Sequence, residues 1–248
     1  MQCDFHSLKQ VDNTAKEILK FNNRLDILIN NAGIGVAPFQ LSDDGLGNHF
    51  AVNNLAHWHL TKVLSPLLIS TAQDQNTPKH GVRVIQQSSE LHRTVPSDVQ
   101  FANKEEVSKE IDPTLLYGRS KLGNIYTARE FAKKEFAGID NIVSLSTHPG
   151  VVSTPQQEGF AQEGSYGKLG AILKPLVRSI AKTPDQGAEC ALWAATSDEI
   201  NNSEHFQGQY FSEPHGKPGT ETNTAKDAFI SNNFRKLCEQ CEQDILGK

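Results

Sequence analysis

The sequence predicts an α/β chain built on a parallel sheet with helices on both faces. Short apolar runs alternate with longer stretches of helical periodicity. The run from Leu25 to Ile29 is nearly continuous rather than alternating, which suits a parallel strand buried on both faces. Small or polar residues then lead the chain out of the sheet, as in Asn30-Asn31-Ala32-Gly33 and His148-Pro149-Gly150. Strand and helix in strict alternation imply parallel strands joined by crossover helices.

Each element has its own warrant. Ser7-Leu8-Lys9-Gln10 fits a capping box, and Leu8, Val11, Ala15, Ile18 and Leu19 follow at helical spacing. Leu25 to Ile29 reads as a buried strand. A long helix is expected from about Gly45 to Ile69, and Val82 to Ile85 is the next strand. Pro113 to about Phe136 is helical, Ile142 to Ser146 is a strand, and Thr183-Pro184-Asp185-Gln186 opens another helix with a cap and a proline in the first turn. Gln209-Tyr210-Phe211 is the last strand. Phe234, Leu237, Cys238, Cys241 and Ile245 form the inner stripe of a C-terminal helix. No repeat, low-complexity tract or linker divides residues 1–248, which read as a single domain.

Bulk properties narrow the function classes. A formal net charge of −5 argues against a nucleic-acid or polybasic membrane surface. Four cysteines (Cys3, Cys190, Cys238 and Cys241) make no secreted disulfide framework, so a reducing, cytoplasmic setting is expected. No apolar run approaches the roughly 18 residues that span a bilayer. Met1 is not followed by the pattern of a secretory signal, and these residues carry no information about an upstream anchor. Cys238-x-x-Cys241 has no second pair with which to complete a zinc site. His57 and His59 are too close in sequence to share a helix face. No metal is expected, and self-association is left open.

The candidate chemistry rests on Asn53, Ser89, Tyr117 and Lys121. Tyr117 and Lys121, at i and i+4, lie on one helix face. A free phenol, with a pKa near 10, is a poor acid or base at neutral pH. A neighbouring ammonium is expected to favour the phenolate and make Tyr117 a usable general acid/base. Ser89 would hold a substrate oxygen facing Tyr117, and Asn53 would position a water that exchanges protons with solvent. The hydride must come from a nicotinamide, because no side chain supplies one.

A YxxxK pair alone is common. The ordered set strand-NNAG, helix-Asn53, strand-Ser88-Ser89, helix-Tyr117-Gly-Arg-Ser-Lys121 and strand-Pro149-Gly150 is far more specific, and resembles the active-site half of a short-chain dehydrogenase/reductase. Further matches are Ser120-Lys121-Leu122-Gly123-Asn124, His148 before Pro-Gly, Lys182-Thr183-Pro184-Asp185-Gln186-Gly187-Ala188 and Gly208-Gln209-Tyr210-Phe211. With the long Ser89-to-Tyr117 interval, they are similar to the branch of retinol dehydrogenases and WW-domain oxidoreductases.

The resemblance implies a Rossmann-like doubly wound parallel sheet, N-terminally truncated, with the first strands and the TGxxxGxG turn absent. Met1-Gln2-Cys3-Asp4 looks like the end of that family's third strand, which leaves Leu25–Ile29 as an unpaired apolar edge. It also implies that Asp4 bonds the adenine, that Asn31 faces the adenine ribose, and that Tyr117 and Lys121 bond the nicotinamide ribose. Val152 and Thr154 would hold the carboxamide end and the neighbouring phosphate. Lys62 stands where relatives carry a cofactor-linked basic residue; a solvated helix lysine is the other reading. The implied cofactor is NADP(H), with NAD(H) open because the discriminating second strand is not in this sequence. The implied activity is interconversion of an alcohol and a carbonyl on a small lipophilic or secondary-metabolite-type substrate, shaped by the variable stretch from Gln156 to Ile180. The alternative is a catalytically impaired remnant or interaction protein that keeps the fold and binds dinucleotide poorly.

Overall fold

The computed structural model describes residues 1–152, 182–201 and 206–247. Thr154 and the Gln156-to-Ile180 stretch lie outside them. Among the described residues, β1 (Ile27–Asn30), β2 (Val82–Gln87), β3 (Ile142–Thr147) and β4 (Tyr210–Phe211) form a four-stranded sheet in that spatial order. Every neighbouring pair is parallel, so the C-terminal ends all open on one side. Asn30, Gln86, Ser146 and Tyr210 are register partners in a single row near that end. This is a Rossmann-like parallel α/β fold.

Strand alternation divides the core. Val82, Val84 and Ile142 face a cluster built from α3 (Ala56–Gln73) and α5 (Pro113–Lys133), completed by the C-terminal helix Ala228–Leu246. Phe234 is its hub, with ring centroids 5.2 Å from Phe101, 5.9 Å from Tyr126 and 6.0 Å from Trp58. Burying a side chain of this size is worth about 1.5–3 kcal/mol. Cys238 and Cys241 are buried in the same cluster, as their place on the apolar stripe predicts. Ile85, Val143 and Leu145 point to the opposite face, against Cys190, Trp193 and Ala194 of the helix Pro184–Thr196. That helix starts as expected: Thr183 and Gln186 form a reciprocal capping box ahead of Pro184.

Two local expectations change. Ser7 is the N-cap of α1 (Leu8–Phe21), but its hydroxyl makes no capping bond. The carboxylate of Asp44 instead accepts the Leu8 N–H at 2.8 Å, a tertiary cap that local spacing cannot reveal. The helix expected from Gly45 begins with α2 (Asn48–Phe50) and passes through a π-helical turn, Ala51–Leu55, before α3. Tertiary contacts of Asn53 and Asn54 hold that wide turn in place.

Among the described residues, β1 has a neighbour on one side only, and its Ile27 and Ile29 remain 40% and 38% exposed. An open apolar edge templates strand pairing. Ile29→Lys in the 248-residue polypeptide is therefore expected to reduce concentration-dependent self-association, measured by light scattering. A parent polypeptide that stays monomeric at high concentration would contradict this reading of the edge.

Candidate active site

The crevice at the C-terminal ends of the strands collects the loops after β1, β2 and β3, which is where open parallel sheets bind ligands. Asn53 enters it from the π-helical turn and is buried. Its Nδ2 donates to the Ile34 carbonyl and to Ser120 Oγ, both at 2.9 Å, and its Oδ1 accepts the Ile34 N–H at 2.9 Å. Both amide hydrogens are thus committed to clasping the NNAG loop to α5. Only a remaining lone pair on Oδ1 and the main-chain carbonyl could hold a water. The Nδ1 of His57 lies 3.1 Å from that carbonyl. Gly33 is required by the clasp, since a Cβ there would sit 2.6 Å from Asn53 Oδ1. Asn54 ties down the same junction, donating to Ser120 O at 2.6 Å and to Asn124 Oδ1 at 2.7 Å.

Ser89 follows β2, where its Oγ accepts the Leu91 N–H at 3.2 Å and caps a 3-10 turn, Glu90–Thr94. The same hydroxyl lies close enough to the Tyr117 phenol to favour its ionised form. Lys121 lies one turn along α5, with Nζ 5.3 Å from the centre of the Tyr117 ring. Its ammonium donates to Gln87 O at 2.9 Å, beside Asn124 Nδ2 at 2.8 Å. Ser120 Oγ donates to Tyr117 O at 2.8 Å and accepts from Asn53, so all four predicted residues belong to one contact network.

The electrostatics correct one expectation. Burial pushes the Tyr117 phenol up to about 12, and the neighbouring Ser89 hydroxyl opposes that shift only in part. Burial also brings the Lys121 ammonium down to about 8. The ammonium does not lower the phenol below its ordinary value, because desolvation of a phenolate here outweighs attraction to a cation over this distance. The resting pair is a protonated phenol beside an ammonium.

The expected cofactor residues fare unevenly. Asp4 is exposed, and its carboxylate accepts the His6 N–H at 2.9 Å, which holds it below the usual carboxylate range. Asn31 is exposed at the end of β1. Val152 follows β3 and is bridged to Lys182. Its methyls press on Gly187, where a Cβ would come within 2.4 Å. Lys62 does not join the others. Its Nζ is 2.6 Å from Glu242 of the C-terminal helix, in a group where the buried His59 ring contacts Glu242 at 2.7 Å and Asp12 of α1 at 3.1 Å. Sequence reasoning also missed Arg119. It donates to the carbonyls of Glu106 at 2.6 Å and Val107 at 3.0 Å in the short helix α4 (Lys104–Val107), fastening the Ser89-to-Tyr117 interval to α5. A guanidinium at a buried helix position was the only available signal.

A parallel α/β sheet with a serine, a tyrosine and a lysine converging on its C-terminal edge defines a class of dinucleotide-dependent proteins. Residues 1–93 match the family model for short chain dehydrogenases. Human retinol dehydrogenase 14 is 33% identical over 214 residues, covering 85% of this chain and 57% of its own length. The short chain dehydrogenase/reductase dpchH of Colletotrichum higginsianum is 32% identical over 242 residues, covering 93% of this chain and 57% of its own length. An uncharacterized protein from Mycobacterium paratuberculosis superposes with a TM-score of 0.67 at 24% identity, covering 98% of this chain and 75% of its own. RhlG of Pseudomonas aeruginosa, solved as an NADP active-site complex, gives a TM-score of 0.58 at 22% identity, covering 86% and 73%. The chain belongs to the short-chain dehydrogenase/reductase family, in its retinol-dehydrogenase-like group. It spans between half and two thirds of the length of the curated relatives it matches. Among the described residues, no helix is long and apolar enough to cross a membrane.

Proposed function

We propose that this chain carries the proton-transfer site of an NADP(H)-dependent oxidoreductase that interconverts an alcohol and a carbonyl on a small lipophilic or secondary-metabolite-type substrate. The observation that carries the reading is the Lys121 ammonium set 5.3 Å from the centre of the Tyr117 ring, with the Ser89 hydroxyl close enough to act on the same phenol. Tyr117 and Lys121 would bond the nicotinamide ribose, Asn31 the adenine ribose, Asp4 the adenine, and Val152 with Thr154 the carboxamide end. The exposed Asn31 and the small residues after β1 leave the backbone open to such a ligand. When bound, the nicotinamide supplies or accepts the hydride. Ser89 holds the substrate oxygen, and Tyr117 gives it a proton as the carbonyl is reduced. Lys121 then stabilises the phenolate left behind. The protonated phenol of the resting structure is the form that reduction needs. NADP is preferred over NAD because RhlG, a neighbour in fold, holds NADP. A cytoplasmic setting follows only from the cysteine usage; relatives include a chloroplastic short-chain dehydrogenase of Brassica napus.

Titration with NADPH and NADH, followed by fluorescence, tests the cofactor assignment. These 248 residues contain no TGxxxGxG segment, the motif that seats a pyrophosphate on a helix N-terminus. Charge-assisted hydrogen bonds are worth up to about 1.5–3 kcal/mol each. Loss of two corresponds to roughly 10²–10⁴ in affinity, which puts the 248-residue polypeptide in about the millimolar range. Micromolar binding would contradict this. An intact protein that binds neither nucleotide would favour the alternative of a non-enzymatic interaction protein.

A further inference from the structure

The peptide unit that joins Ser89 to Glu90 is gripped from both ends by imidazoles. Its carbonyl, Ser89 O, lies 2.7 Å from Nδ1 of His92, and its N–H, on Glu90, points to Nδ1 of His148 at 3.2 Å. The two histidines come from different elements, the 3-10 turn after β2 and the loop after β3. Each ring is itself anchored. His92 packs edge-on against Tyr210, centroids 5.1 Å apart, and its Nε2 faces the Thr222 N–H at 3.4 Å. The backbone N–H of His148 donates to Phe211 O at 2.9 Å. The Tyr210 hydroxyl reaches across to donate to the Glu90 carboxylate at 2.8 Å, and Arg93 binds the other carboxylate oxygen.

We propose that His92 and His148 are positioning residues that lock the Ser89–Glu90 peptide plane in neutral, opposite tautomers and so aim the Ser89 hydroxyl at Tyr117. A carbonyl can only accept, so His92 carries its proton on Nδ1 and presents Nε2 as the acceptor for Thr222. An amide N–H can only donate, so His148 presents a bare Nδ1 and carries its proton on Nε2. Burial supports the neutral state of both, lowering His92 and bringing His148 to about 4. The plane they fix sets ψ of Ser89, here 153°, and with it the direction of Cα–Cβ relative to α5. The inference rests on the proposed reaction, in which Ser89 and Tyr117 act on one substrate oxygen.

Two measurements test it. Long-range ¹H–¹⁵N NMR of the uniformly labelled chain, assigned with His92→Leu and His148→Leu, reads the tautomers with no substrate or cofactor present. Nδ1–H at His92 and Nε2–H at His148 are expected; the reverse at either, or an imidazolium at neutral pH, overturns the proposal. In the intact protein each leucine variant is expected to lose about tenfold in kcat, the worth of one hydrogen bond, with KM for the nucleotide within about twofold. Asparagine places an amide donor or carbonyl acceptor where Nδ1 stood, so His92→Asn and His148→Asn are expected to recover most of kcat. Leucine variants with unchanged kcat, or asparagine variants no better than leucine, would overturn the positioning role. A parent protein that turns over no carbonyl would defeat the proposed reaction, while the tautomers would still decide the clamp.

Discussion

Tyr117→Phe in the intact protein is expected to lower kcat by about 10²–10⁴ while leaving KM for NADPH within about twofold, because general acid/base groups contribute on that scale. The phenol stands beside the Ser89 hydroxyl, and its ring lies under the Lys121 ammonium. Phenylalanine keeps the ring and that contact, and loses only the hydroxyl. Ser89 keeps its capping bond from Leu91, and Ser120 keeps its bond to the main chain of residue 117, so the fold around the site is preserved. Steady-state kinetics with unfolding controls checks this. Turnover within about a factor of two of the parent would remove Tyr117 from the proton-transfer role.

Lys121→Met is expected to cost activity and yet stabilise the fold. Burial holds the folded-state ammonium near 8, against an ordinary value of 10.5. A base depressed in the folded state destabilises it wherever the unfolded chain stays protonated. The cost is fully present below about pH 8 and fades as the pH rises toward the unfolded value near 10.5. At about 1.4 kcal/mol per pKa unit, an apolar side chain of similar volume should gain on the order of 2–4 kcal/mol at neutral pH. Gln87 O still has the Asn124 amide as a donor, so no buried carbonyl is orphaned. Urea unfolding should show the gain at neutral pH and its loss in alkali. A variant less stable than the parent at neutral pH, or a gain that does not vary with pH, would contradict the account.

Local patterns announced the parts of this molecule that local patterns control. Val82 to Ile85 and Ile142 to Ser146 marked β2 and β3, both buried throughout, and Thr183-Pro184 marked a helix start with its reciprocal cap. Tyr117 and Lys121 were readable because i and i+4 on a helix must share a face. What sequence spacing could not supply are partners distant in the chain. Asp44 replaces Ser7 as the cap of α1, and Glu242 claims Lys62 from the far end of the chain. The π-helical turn at Ala51–Leu55 depends on where Ser120 and Asn124 sit on another helix. The upward shift of the Tyr117 phenol depends on burial, which the pair Tyr117–Lys121 does not encode. The peptide clamp by His92 and His148 requires two loops to meet.

The most direct test of the central claim follows the hydride. The intact protein, given NADPH deuterated at C4 of the nicotinamide and a panel of lipophilic aldehydes and ketones, should yield an alcohol with deuterium on the carbinol carbon. Tyr117→Phe should suppress that label in proportion to its loss of turnover. Alcohol formed without label from the cofactor, or equal labelling by the Tyr117→Phe variant, would contradict the account.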